Sequence, residues 1–366
     1  MRKTPLLTLR LTVFLLLFSL VSCAAPRIKP AERLSGHRAR VMGVTWSPDG
    51  RQVASSALDG TVRVWDTQKR VPATVLYTES QWVLSVAWSP DGKRLAATTN
   101  ASVEVWDPAT EKRVALMITG EGVADGPRNI YAAWSPDGRL LALYGWDDGT
   151  VKIMDAENWA EAAVIRKSSA MVSSVDWSMD GKRLATAGWD GKLRFWDTGS
   201  WAGTSEVDLN VHGVIKVAWS PAGKMLSWHA YLDNELVIWD TAAGKMERKL
   251  AVPSGITSAA WSPDGSMIAT ASGDGALGLW DAFTGGLKMS LLHGNPIDRM
   301  VWSRDSARIA TVPLGENTVN IWDAATGAVK PLLGEGGSVT ALAWSRDGKR
   351  LATGNYDGSV LIWDKF

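Results

Sequence analysis

Four histidines, one cysteine and one Gly-x-Gly-x-x-Gly run are the obvious carriers of chemistry in this sequence. His37, His212, His229 and His293 are scattered along the chain. They are too few and too scattered to suggest a metal or triad centre. The glycine run falls at Gly273, Gly275 and Gly278, around an Asp-Gly pair that leads into an alternating segment. A phosphate cradle needs a helix N-terminus at that point, and a strand is expected there instead. Cys23 stands in an N-terminal targeting segment, a poor place for a nucleophile. Aspartates are plentiful, but they recur with the regularity of turns. The sequence therefore predicts no catalytic residues, no metal, no cofactor and no enzyme.

The elements that would position any site come from a repeat. A Trp-Ser pair recurs at Trp46, Trp88, Trp134, Trp177, Trp219, Trp261, Trp302 and Trp344, at intervals of 41 to 46 residues. A turn follows each pair, in its fullest form Ser47-Pro48-Asp49-Gly50, where proline presets φ for a type I turn. Short alternating runs flank it, which predicts strands. A second reversal follows at pairs such as Asp59-Gly60, Asp190-Gly191 and Asp357-Gly358, and both residue types tolerate φ > 0. A third strand then ends in Trp-Asp at Trp65, Trp106, Trp196, Trp239, Trp280, Trp322 and Trp363, with Met154-Asp155 in the remaining slot. Fifteen of the 21 tryptophans are absorbed this way, which explains a composition with only five Phe and five Tyr.

Four strands per unit closing on Trp-Asp resemble the WD40 repeat, and the resemblance covers about residues 31–366. It implies an all-β chain, an eight-bladed WD40-type β-propeller. Its ring is closed by the N-terminal strand around 31–37, which completes the last blade. A seven-bladed ring with a stray unit is the alternative. The family's buried network of His, Ser/Thr, Asp and Trp is complete only in the first unit, at His37, Asp59 and Trp65. Elsewhere the rigidity is expected from apolar packing of tryptophans, each removing some 150–250 Å² from water.

In such propellers partners dock on the rim formed by the loops entering the inner strands and by the Asp-Gly hairpins. Six residues before the Trp-Ser tryptophans this rim carries Arg40, Trp82, Arg128 and Met171; at the hairpins it carries Trp146, Trp189, Tyr231 and Tyr356. These are residue types enriched at interface hot spots, so they form the candidate partner-binding rim. The competing account is that they cap packing between blades. Trp159 and Trp201, near the opposite rim, are expected to pack the outermost strand.

The N-terminus reads as an export signal. Arg2 and Lys3 precede a mostly apolar stretch, 11–22, too short for a helix spanning the bilayer, which needs about 20 residues. The stretch runs out at Cys23 and resembles the bacterial lipobox. This implies a lipoprotein signal peptide over 1–22, a lipidated Cys23 with a short tether over 23–30, and a propeller over 31–366. Cleavage after Ala24, or an uncleaved anchor, would be the alternatives. In a Gram-negative cell, Ala24 after the cysteine implies the outer membrane, facing the periplasm. Without 1–22 the net charge is −2, which leaves no electrostatic footprint for nucleic acid. The expected function is an envelope-tethered, monomeric scaffold binding proteins whose identity the sequence does not give. Ligand or glycan sensing by the rim, or an enzyme site at the channel mouth, are the alternatives.

Overall fold

A computed structural model describes residues 28–69, 72–118, 130–145, 148–209, 214–223, 225–230 and 234–366. Among the described residues there is no helix. The strands, numbered β1–β32 in chain order, make eight four-stranded antiparallel sheets. Seven sheets each use four consecutive strands. The first of them comprises β2 (Val41–Trp46), β3 (Gln52–Ala57), β4 (Thr61–Asp66) and β5 (Pro72–Tyr77). The eighth is built from β30 (Val339–Trp344), β31 (Leu351–Asn355), β32 (Val360–Trp363) and, from the other end of the described chain, β1 (Glu32–Leu34). There Leu34 pairs with Val360 and Glu32 with Ile362, and Arg33 holds Asp357 at 2.7 Å.

The first strands of the sheets converge on a common axis: β2, β6 (Val83–Trp88), β10 (Tyr131–Trp134), β14 (Val172–Trp177), β18 (Val214–Trp219), β22 (Ile256–Trp261), β26 (Ile297–Trp302) and β30. The Trp-Ser indole is what joins them. Trp177 Nε1 donates to the Ala133 carbonyl, Trp219 to Asp176, Trp261 to Ala218, Trp302 to Ala260 and Trp344 to Val301. Trp134 donates to Ala87, and Trp46 returns to Ala343, so the last sheet is clipped to the first. Each bond spans two sheets at the same register. The repeat of indoles is thus a repeat of inter-sheet ties; among the described residues Trp88, of this Trp-Ser set, leaves its Nε1 buried without a partner, as does Trp106 of the Trp-Asp set.

The turn after each tryptophan is held by its own side chains. Ser47 Oγ donates to Asp49 Oδ1 at 2.6 Å and accepts the Gln52 amide at 2.9 Å. Ser89, Ser135, Ser178, Ser303 and Ser345 repeat the serine–aspartate bond. The serine hydroxyl lowers the carboxyl pKa of Asp49, which suits a turn that needs an acceptor.

Hydrogen bonding adds to the apolar packing expected to be the main source of rigidity beyond the first sheet. The Trp-Asp indoles donate to a threonine on the second strand: Trp196 to Thr186, Trp280 to Thr270, Trp322 to Thr311 and Trp363 to Thr353. A buried indole N–H left unpaired would cost about 1–3 kcal/mol, so these hydroxyls matter as much as the burial. Gly278 is explained here too. A Cβ at that position would stand 2.7 Å from Thr270 Oγ1 and 2.9 Å from Trp280 Nε1, so the glycine clears the bond rather than cradling a phosphate. Trp159 and Trp201 make a contact that the expectation did not include. Both adopt positive φ in the turn after the third strand, and they meet the first-strand indoles Trp134 and Trp177 edge-on at 6.2 and 6.1 Å. They share apolar clusters with residues of an outermost strand, Val114 and Ala115 for Trp159 and Ala163 for Trp201, and in addition cover the inter-sheet ties.

Candidate functional site

In the first, fourth, seventh and eighth sheets the inbound loop and the hairpin are tied by a backbone hydrogen bond. The amides of Leu58, Trp189 and Tyr356 donate to the carbonyls of Arg40, Met171 and Ser338, at 3.0, 3.0 and 2.9 Å. This bond sets the register of the rim and puts both sets of residues at one end of the ring. The hairpin glycine then fixes where the next sheet's loop lies. Gly358 has φ +85°, and a Cβ on it would fall 2.7 Å from the His37 carbonyl and 2.9 Å from that of Ala39. Only glycine meets both demands.

On this rim Trp82, Trp189 and Tyr356 are exposed, at 47, 59 and 63% of their surfaces, whereas most tryptophans of the repeat are buried. Arg40 is half-buried and lies over the Tyr356 ring at 5.7 Å, a cation–π contact across the seam between the last and first sheets. Met171 is half-buried and backbone-tied to Trp189. Arg40–Tyr356 and Met171–Trp189 are thus two assembled pairs, and Trp82 stands apart on the second sheet. Arg128, Trp146, Tyr231 and Cys23 lie outside the described residues.

The structural network of the first sheet is complete. His37 Nδ1 meets Asp59 at 3.1 Å, its Nε2 meets Ser55 Oγ at 2.8 Å, and Trp65 Nε1 donates to the same Oγ at 2.7 Å. The Nδ1 contact fits the tautomer that donates to the carboxylate. Burial alone would raise the Asp59 pKa, but bonds from His37, Thr61 and the Arg38 amide outweigh it and hold the carboxyl well below the usual range.

A second network was missed in the sequence. His293 Nε2 meets Thr311 Oγ1 at 2.6 Å, its Nδ1 meets Asn320 Nδ2 at 2.9 Å, and its ring packs edge-on to Trp322 at 4.9 Å. Here an asparagine amide replaces the aspartate, and burial pushes the imidazole down to about 4. The signal was present: His293 precedes Trp302 by the same nine residues that separate His37 from Trp46. In the fourth sheet a buried Arg194 does this work, held by Asp190 and Glu206, both at 2.8 Å.

Two departures on the axial strands were also missed. Asp176 occupies the residue before the Trp-Ser tryptophan, where the other sheets carry Thr, Ala or Val. Its carboxylate accepts the Trp219 amide of the next sheet at 2.7 Å, and burial raises its pKa to about 6. Burial raises the Tyr144 hydroxyl pKa still further, with the charges of Tyr131 and Asp176 adding to the effect. The other departure is Lys216 and Arg299, three residues before their tryptophans. Among the described residues no group of His, Cys, Asp and Glu could hold a metal ion, and no helix is long and apolar enough to cross a membrane.

Comparison with known proteins places the repeat. The model for the WD domain, G-beta repeat matches residues 28–66, 70–107, 162–197, 244–281 and 329–364, together about half of the chain. The chain is 27% identical over 241 residues to the WD repeat-containing protein slp1 of Schizosaccharomyces pombe, covering 64% of this chain and 48% of that protein. It is 26% identical over 217 residues to Periodic tryptophan protein 2 of Arabidopsis thaliana, covering 57% of this chain and 23% of that one. The chain thus spans about half or less of the length of these curated relatives. The crystal structure of the computationally designed Ika8 protein superposes with a TM-score of 0.77 at 20% identity, covering 92% of this chain and 100% of that one, a likeness of fold alone.

Proposed function

Because the chain belongs to the WD40 repeat family, whose members generally act as non-enzymatic protein-interaction scaffolds, we propose that it is an eight-bladed propeller scaffold that binds protein through one rim. Reading all eight sheets as WD40 blades goes beyond the five matched segments. It is supported by the indole ties, which run at one register through matched and unmatched units alike.

The observation that carries the binding surface is the exposure of Trp82, Trp189 and Tyr356 at one end of a ring that otherwise hides its indoles. Large aromatics left partly in water are the side chains that release most free energy when a partner covers them. Arg40 over Tyr356 adds a cation to the same surface. The envelope part of the reading rests on residues 1–27: a basic start, an apolar stretch and a lone Cys23, which together suit an exported chain anchored by lipid. The relatives compared above are eukaryotic and do not bear on that part.

The rim is tested by cross-linking the full chain in intact cells and comparing it with Trp82→Ala and Trp189→Ala. Partners recovered with the native chain are expected to be depleted in both variants. Equal recovery from all three, with unchanged melting temperatures, would remove the rim as the binding surface.

A further inference from the structure

The axial strands carry a second, unused set of groups. Three residues before each Trp-Ser tryptophan, just past the bulge of the first strand, six sheets place glycine, alanine, serine or tyrosine. The two exceptions are Lys216 on β18 and Arg299 on β26, which pair at equivalent register with His229 and Val312. Only β22 lies between them, with Ser258 at the same level. Lys216, Thr257, Asp298 and Arg299 are exposed, so this side of the bore is polar and wet, whereas β2 and β6 present half-buried Met42 and Leu84.

The charges here are not balanced. Arg299 Nε has Asp298 Oδ2 at 3.3 Å. Among the described residues, the charge that acts on Lys216 is the positive one of Arg299. Protein crowded around the ammonium, and then that repulsion, hold it below the ordinary lysine range, even though it reaches solvent at the wall of the bore. Neither cation ties sheet to sheet, since the indole bonds and ladders do that. Two cations at one level, across a single intervening strand, repel each other with no gain for the fold. That repulsion is relieved when an anion sits between them.

We propose that the bore between β18 and β26 binds an oxyanion, with Lys216 and Arg299 as its two cationic clamps and the Ser258 hydroxyl between them. Arg299 offers a planar fork suited to two oxygens, and Lys216 a point charge. Phosphate and carboxylate share this chemistry. The site is separate from the exposed aromatics of the rim and does not depend on their role.

The test is melting of the full chain at constant ionic strength, with sodium chloride replaced stepwise by sodium phosphate, and in parallel by a capped tri-glutamate peptide. Native protein is expected to melt higher with at least one of the two, and which one acts identifies the source of the oxyanion. Lys216→Met is expected to melt higher than the native chain in chloride, since the repulsion is gone, and to lose the response to anion. Arg299→Gln should weaken binding about tenfold, and Lys216→Arg, which keeps the charge, should retain it. Trp82→Ala and Trp189→Ala should leave it untouched, so failure here and failure at the rim are separable. No response to either anion, or an equal response in the native chain and Lys216→Met, overturns the proposal.

Discussion

Asp176→Asn should stabilise the protein at neutral pH. The carboxylate sits between the fourth and fifth sheets and accepts the Trp219 amide at 2.7 Å, yet burial raises its pKa from 3.8 to about 6. The sign follows from linkage. Between about pH 4 and pH 6 the folded chain holds a proton that the unfolded chain releases, so stability falls as pH rises through this window. Above it the full penalty applies. Two units correspond to about 3 kcal/mol at most, and about 1–2 kcal/mol is a fair expectation once the asparagine NH2 has to find water or a partner. Asparagine keeps a carbonyl oxygen for the Trp219 amide and carries no charge. Urea denaturation at unit intervals from pH 4 to pH 8 measures this directly. The variant's advantage should be near zero at pH 4, grow through pH 6 and level off by pH 7. A variant less stable than the native chain at pH 7, or an advantage independent of pH, would refute burial of a charge as the cause.

Gly358→Ala should cost about 2 kcal/mol or more, because φ is +85° and the added methyl meets the carbonyls of His37 and Ala39; the shift in denaturation midpoint reads this. His293 is held neutral down to about pH 4, so stability should decline as pH falls below about 6.5 towards that value, and His293→Gln should flatten the decline in the same titration. If Cys23 is the lipid anchor, cells fed an alkyne-bearing fatty acid should label the native chain, and Cys23→Ser should be unlabelled and recovered in the soluble fraction. Labelling retained in that variant would exclude Cys23.

The ring was legible because its repeating unit is written in residues that have few other uses. An indole followed by Ser-x-Asp supplies one inter-sheet donor and a turn that closes on its own side chains, so spacing alone located each axial strand. Asp-Gly located the hairpins, since few other pairs accept that backbone. Less visible were effects that depend on what lies across a sheet interface. The burial of Asp176 comes from the neighbouring sheet. The network at His293 was obscured because its histidine precedes the glycine, whereas in the first sheet Gly36 precedes His37. Trp159 and Trp201 reach the inter-sheet ties through positive φ, which nothing in a tryptophan announces. Lys216 and Arg299 share a level only when the bulge of each axial strand is aligned, a comparison made across sheets rather than along the chain.

The eighth sheet has a consequence for how the chain reaches its final state. Arg33 and Asp357 are 324 residues apart in sequence, and β1 pairs with β32, the last made of the described strands. Until β32 arrives, β1 has no neighbour to zip against and the Trp46 indole has no carbonyl from the Ala343 strand. Closure is therefore a late, non-local event in synthesis, and the growing arc exposes a bare edge throughout. A chain emerging from its N-terminus holds one half of its fastening from the start and waits for the other.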